Sequence, residues 1–208
     1  MLKLLTLTAA GLVAGTAHAA TFELSATLND VQTVPRNFSD ATGAATLVVD
    51  DEDETLDFSL SVAGIFPDLD AVGGGDFADV FFDGDNAALG PIHLHFGDAG
   101  EAGPVVVPFP TGRDDVTYTE TDAGFDLTTN GYTYAEAVGI SGATAPFDAF
   151  LGELLAGNYY INIHTDVAPS GEIRGQLETG AVAPVPLPAG GLLILGAFGA
   201  LAAFRRKG

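Results

Sequence analysis

Three histidines are the residues of this chain whose type and spacing best suit chemistry. His93 and His95 lie one residue apart in "PIHLHF", and His164 lies near the end of "NYYINIHT". Side chains alternate along a β-strand, so an H-x-H pair presents two imidazoles on one face. If the two segments are neighbouring strands, the three imidazoles converge and suit one Zn(II) or Cu(II) ion with an open fourth position. The alternative is a structural role, in which these side chains make hydrogen bonds beneath the loops.

The elements that position the histidines predict an all-β fold, an antiparallel β-sandwich with one short helix. Alternating segments predict strands at residues 21–28, 45–50, 55–62, 92–96, 105–107, 116–119, 125–127, 158–165 and 171–178. Residues 158–165 and 171–177 should be antiparallel neighbours joined by a turn around Ser170. The segment "FDAFLGELLAGN" predicts the helix, because its apolar residues form one stripe and Gly157 suits a left-handed stop. On both histidine strands we expect the aliphatic face to pack on the core and the imidazoles to face outward.

A long connection rich in glycine and aspartate occupies residues 67–90. The pattern allows a short helix near residues 77–82. Asp79, Asp83 and Asp85 lack the spacing of an EF-hand loop, so they are only a weak signal for a calcium site. This connection and the loop after Phe96 are the two candidate covers for the histidines.

Cysteine content and charge exclude several function classes. The chain has no cysteine, which excludes disulfides, thiolate metal sites and cysteine nucleophiles. Between residues 20 and 189 there are three cationic and 28 acidic residues, which gives a net charge of −25. Such a domain repels nucleic acid and anionic lipid, so we expect no nucleic-acid partner. Because cations are so few, Arg174 is expected to bind a carboxylate.

The first 19 residues have the pattern of a secretory signal peptide. Lys3 precedes an apolar stretch, and Ala17, His18 and Ala19 form a small-x-small cleavage site. We therefore expect the mature chain to begin at Ala20 and the protein to be exported.

Residues 181–208 predict a C-terminal sorting signal with a short transmembrane helix. Its motif consists of Val185, Pro186, Leu187, Pro188 and Ala189. An apolar run of 15 residues follows at 190–204, and then three cations, as at the cytoplasmic end of a membrane segment. In this order, the features resemble the VPLPA variety of the PEP-CTERM sorting signals of Gram-negative bacteria. The resemblance implies an exosortase-type membrane protease as a partner, transient anchoring in the inner membrane, and a final location at the cell surface or outside the cell.

Residues spread over the domain match the pattern of a second family. They are His93, His95, Gly103, Pro104, Val105, Val106, Leu155, Ala156, Gly157, Asn158, Tyr160, Asn162, His164, Thr165, Gly171, Glu172, Ile173, Arg174 and Gly175. On these residues, the segment 20–180 resembles a CHRD domain, a family widespread in exported bacterial proteins. The long connection at 67–90 and Ser170, where glycine is common, depart from the pattern. The resemblance implies a β-sandwich and no settled activity.

The sequence therefore supports two hypotheses from different classes. The main one is an exported or cell-surface CHRD-type module with a binding or structural role and an unidentified ligand. The alternative is a mononuclear copper or zinc metalloprotein, a carrier or a minor redox enzyme, that uses His93, His95 and His164. The chain carries no nucleophile elbow, phosphate-binding loop or paired-carboxylate motif, so an enzymatic activity is not the favoured prediction.

We expect the mature protein to lack residues 1–19 and most of the tail after Pro188, because both terminal segments have the features of processing signals. Intact-mass spectrometry of protein released from the cell surface measures this. A mass that still includes residues 204–208 would contradict the sorting prediction and indicate a permanent anchor.

Overall fold

The computed structural model of the protein describes residues 20–66, 89–109, 114–165 and 167–180. Three predictions lie outside these residues: the signal peptide, the helix and aspartates of the 67–90 connection, and the sorting signal with its transmembrane helix. Within the described ranges, no helix has the length and apolar character needed to cross a membrane.

Ten strands in the described ranges form two antiparallel sheets. The strands are β1 (Thr21–Leu28), β2 (Thr42–Asp50), β3 (Thr55–Ala63), β4 (Ile92–Phe96), β5 (Val105–Pro108), β6 (Val116–Thr121), β7 (Gly124–Thr129), β8 (Tyr159–Ile163), β9 (Ile173–Gln176) and β10 (Glu178–Thr179). The larger sheet has the order β10-β1-β2-β3-β7-β6, and the smaller sheet has the order β5-β4-β8-β9. The predicted all-β sandwich is confirmed, as is the antiparallel pairing of the two strands on either side of Ser170.

The larger sheet has one apolar and one polar face, which explains why its strands alternate. In β3, the residues at every second position from Leu56 to Val62 are buried, while Asp57 lies on the exposed face. The apolar face packs against the smaller sheet across one core. Phe58 of the larger sheet stacks on Phe109, which follows β5 of the smaller sheet, with ring centroids 4.2 Å apart.

The smaller sheet is buried on both faces, unlike the larger one. Leu94 of β4 and Ile161 of β8 belong to the core between the sheets. His93, His95 and Asn162 alternate with these residues and therefore lie on the opposite face, yet their exposed fractions are only 2%, 7% and 5%. The prediction that the imidazoles point away from the core is confirmed, but they lie beneath loops and not in solvent.

Two α-helices of the described ranges connect the sheets, where the sequence predicted one. The helix α2 (Phe147–Leu155) is the predicted one, and Gly157 after it has the expected positive φ of 84°. The helix α1 (Tyr134–Ser141) was missed, because its only two buried residues do not make an apolar stripe. Its signal was the capping box at its start, in which Thr133 and Glu136 bond reciprocally with the backbone.

The loop between β4 and β5 folds back onto the outer face of the smaller sheet. The register shifts between Leu94 and His95, so Val106 is the extra residue of a β-bulge. Gly103 in this loop lies so close to β4 that a Cβ atom there would be 1.6 Å from the carbonyl oxygen of Phe96. Only glycine permits this approach, which places the Gly103 carbonyl beside His95.

We expect Gly103→Ala to lower the free energy of unfolding by about 3 kcal/mol, because no side-chain movement relieves a clash with a backbone oxygen. Urea denaturation followed by circular dichroism measures this change. Gly139→Ala is the matched control. A Cβ atom at Gly139 in α1 meets nothing within 4 Å, so this variant should keep its stability or gain about 1 kcal/mol. Equal stabilities of the two variants would refute the close approach.

Candidate metal centre

The pairing of two strands brings the three predicted histidines together. β4 and β8 are antiparallel neighbours in the smaller sheet. His93 and His95 lie on β4, and His164 is the first residue after β8, where its backbone N–H donates to the Pro91 carbonyl at 2.8 Å. One ring nitrogen of each histidine lies within 4.8 Å of those of the other two. The expected convergence is therefore present, and metal binding itself stays a prediction.

Each imidazole is held by a hydrogen bond to the backbone of a different loop. His93 Nε2 lies 2.7 Å from the Gly90 carbonyl oxygen. His95 Nδ1 lies 2.9 Å from that of Gly103, and His164 Nδ1 lies 2.8 Å from that of Pro169. A carbonyl oxygen only accepts, so we assign the ring proton to each of these nitrogens. The nitrogens that keep a lone pair are His93 Nδ1, His95 Nε2 and His164 Nε2.

Two of these lone-pair nitrogens face each other. His95 Nε2 and His164 Nε2 are 3.4 Å apart, and the assigned tautomers leave no proton between them. Two nitrogens at about 2.05 Å from a tetrahedral zinc ion are about 3.3 Å apart. The third nitrogen, His93 Nδ1, is buried and has no hydrogen-bond partner among the described residues. The spacing therefore fits two ligands of one ion, with a third lone pair on the same cluster.

Burial keeps the imidazoles uncharged at neutral pH. Burial, together with the neighbouring His164 and His95, lowers the pKa of His93 from 6.5 to about 3. Burial also lowers the pKa of His95 to about 4, against the opposing effect of its hydrogen bond to Gly103. The pKa of His164 is lowered by burial as well. The neutral imidazole is the form that binds metal ions, so no proton competes for these sites at pH 7.

Asn162 is a fourth polar side chain of the cluster. Its Nδ2 donates to the Ser170 carbonyl at 3.1 Å and lies 3.2 Å from His164 Nε2. Its Oδ1 is buried without a hydrogen bond among the described residues. A Cβ atom at Gly171, where φ is +120°, would lie 2.2 Å from this oxygen. The sequence identified Asn162 as one of the residues that match the family pattern but indicated no role for it.

Arg174 makes no ion pair with any of the described residues, so the expected carboxylate partner is not found among them. Its guanidinium carbon lies 3.3 Å from the centre of the Tyr160 ring, which stacks on His95 at 5.0 Å. Its NH groups donate to the carbonyl of Glu101 and, at 2.8 Å, to that of Asp98. Backbone carbonyls of the loop between β4 and β5 thus accept hydrogen bonds from the guanidinium NH groups that a carboxylate would have bound. Arg174 places a positive charge close to the histidine cluster.

The pattern of the CHRD domain matches residues 24–177, which include the three histidines and Asn162. The match covers well over half of the chain. This chain belongs to the CHRD domain family. No curated protein and no solved structure matches it significantly. Membership of the family supports a binding or structural module, and the two-sheet fold of this CHRD domain agrees with it.

We expect acid to destabilise the metal-free CHRD domain below pH 6.5. The folded-state pKa values of His93 and His95, about 3 and about 4, lie below the ordinary histidine value of 6.5. The unfolded chain therefore binds more protons in this window, and the stability present above pH 6.5 is lost as the pH falls toward these values. At pH 5.5 the loss is about 1 kcal/mol for each histidine.

Urea denaturation at pH 7.5 and pH 5.5, in the presence of a chelator, measures this loss. In His93→Gln, the free energy of unfolding should differ less between pH 7.5 and pH 5.5 than in the wild type, since one titrating group is gone. An unchanged difference in that variant would show that other groups cause the acid sensitivity.

Proposed function

We propose that this CHRD domain is an exported module that binds one transition-metal ion, Zn(II) or Cu(II), through His93, His95 and His164. The observation that carries the proposal is the 3.4 Å separation of His95 Nε2 and His164 Nε2. Each of these two rings donates its only N–H, which is on Nδ1, to a loop carbonyl, so Nε2 carries a lone pair. Two lone pairs at this distance repel each other, and a cation between them removes the repulsion.

A purely structural cluster would supply donors to its buried acceptors, because an unsatisfied buried acceptor costs about 1–3 kcal/mol. Here the Asn162 amide N–H lies against His164 Nε2. His93 Nδ1 is buried and has no hydrogen-bond partner among the described residues. In acid, a proton shared between His95 Nε2 and His164 Nε2 would satisfy both acceptors. At neutral pH the pKa of His95, about 4, excludes such a proton.

The ligand set favours zinc or copper over other common ions. Imidazole suits Zn, Cu and Ni, whereas Mg²⁺ and Ca²⁺ prefer oxygen ligands. Cysteine is absent from the sequence, so no thiolate contributes. A site with three histidine ligands and a free fourth coordination position is typical of metal ions that bind an exchangeable ligand. A carrier or a minor redox enzyme would both use this arrangement, and reversible binding is the part that the proposal requires.

We also propose that the protein acts outside the cytoplasm. The support is the signal-peptide pattern of residues 1–19 and the sorting motif Val185–Ala189 with its apolar run and cations. An exosortase-type membrane protease would then be the processing partner, and the inner membrane a transient anchor. The absence of cysteine suits an export route in which the domain depends on its core alone.

Isothermal calorimetry with the processed protein, purified without a polyhistidine tag, tests metal binding. We expect one equivalent of Zn(II) or Cu(II) to bind. His95→Ala should lower the affinity by more than about 100-fold, since even loss of a group that only orients a ligand costs 10–100-fold. Circular dichroism should show the same β-sheet signal in both proteins.

The rival explanation is adventitious binding to acidic surface groups, above all the turn between β2 and β3. Glu52→Gln in this exposed turn is therefore the matched control, and it should keep the full affinity. Equal affinities of wild type and His95→Ala would return the histidines to a structural role.

A further inference from the structure

We infer that the fourth position of this metal site takes a small exogenous anion, and that the Asn162 amide N–H positions it. The inference rests on the proposed metal binding at the histidine cluster. It adds a class of ligand and a positioning residue to that site.

The first argument is the ligand count. The cluster found among the described residues contains three histidines and no carboxylate. Three neutral imidazoles leave one position of a tetrahedral ion unfilled, and they leave both of its positive charges without a counter-charge. A charge in a buried site is costly unless it is paired. An anion in the fourth position satisfies both requirements at once.

The second argument is the charge beside the site. Arg174 is 2% exposed, and its guanidinium lies over Tyr160, which stacks on His95. Its NH groups donate to neutral carbonyls, and no carboxylate of the described residues pairs with its charge. At an effective dielectric below that of water, a fixed cation favours an anion over a neutral ligand nearby.

The third argument is the hydrogen-bond accounting at Asn162. Without metal, its Nδ2 is 3.2 Å from His164 Nε2 and can donate to that lone pair. A metal ion takes the lone pair, and the N–H then needs a new acceptor at the edge of the coordination sphere. The histidines offer none, because each remaining ring nitrogen carries a proton. A ligand in the fourth position is the acceptor within reach.

Asn162 is held in place for this role. The second N–H of its amide donates to the Ser170 carbonyl at 3.1 Å, which sets the amide orientation. Gly171 packs against the amide oxygen, and any larger residue there would clash. His95 and His164 are each 7% exposed, so the site opens to solvent only narrowly. Both features restrict the anion to a few atoms.

Cobalt(II)-loaded protein and azide test the inference, because the visible spectrum of cobalt(II) reports its coordination. We expect azide to change the spectrum saturably in the wild type. Asn162→Leu should bind cobalt(II) with similar affinity but weaken azide binding by about tenfold or more, through loss of a hydrogen bond to a charged group. Asn162→Asp should place a carboxylate in the fourth position and abolish the azide response.

The matched control is Asn158→Leu. Asn158 lies just before β8, and its side chain donates to Glu153 at the surface, so azide binding should equal that of the wild type. If Asn162→Leu does not fold, Asn162→Asp takes its place in the test. Loss of the azide response in Asn162→Asp then supports the inference, and a response equal to that of the wild type overturns it.

Cobalt(II) uptake without any azide response, or equal azide affinity in wild type and Asn162→Leu, overturns the inference and leaves metal binding intact. Absence of cobalt(II), Zn(II) and Cu(II) uptake overturns the proposed function itself.

Discussion

Three hydrogen bonds between imidazole N–H groups and loop carbonyls organise the outer side of the smaller sheet. Each joins one histidine to a different loop, through the carbonyls of Gly90, Gly103 and Pro169. Because a carbonyl only accepts, each bond sets the tautomer of the ring as well as its position. The loops that cover the histidines are therefore the same loops that leave two lone pairs facing each other across 3.4 Å.

The layer beneath these loops is a hydrogen-bonded polar layer and not a second apolar core. Buried Glu172, for example, accepts hydrogen bonds from Ser39 at 2.8 Å and from Thr165 at 2.5 Å. Against this background of satisfied groups, His93 Nδ1, Asn162 Oδ1 and Arg174 Nε are exceptions among the described residues, because they are buried without a hydrogen-bond partner. The first two belong to the histidine cluster, where the proposed ion would bind, and Arg174 lies beside it. The acidic surface also favours the binding of a metal ion, since its electric field attracts cations toward the domain.

Local alternation was sufficient to predict most strands of the fold. The period of two that buries Leu56 and exposes Asp57 also places His93 and His95 on one face, because side-chain direction depends only on the backbone of the strand itself. The two strands on either side of Ser170 were predicted as neighbours because a short turn allows no other partner as easily. The helix α1 was missed because its packing does not follow an apolar stripe, although its capping box was legible.

Sequence by itself determined the strands, the family and the three candidate ligands, since these depend on residue type and short-range spacing. Only the tertiary structure decided that β4 lies beside β8 and that loops bury the outer face. The partners of Arg174 were decided in the same way, since the Asp98 and Glu101 carbonyls are more than 70 residues away in sequence. Such contacts depend on how distant segments pack, and a guanidinium binds a carbonyl or a carboxylate according to which one the fold brings within reach.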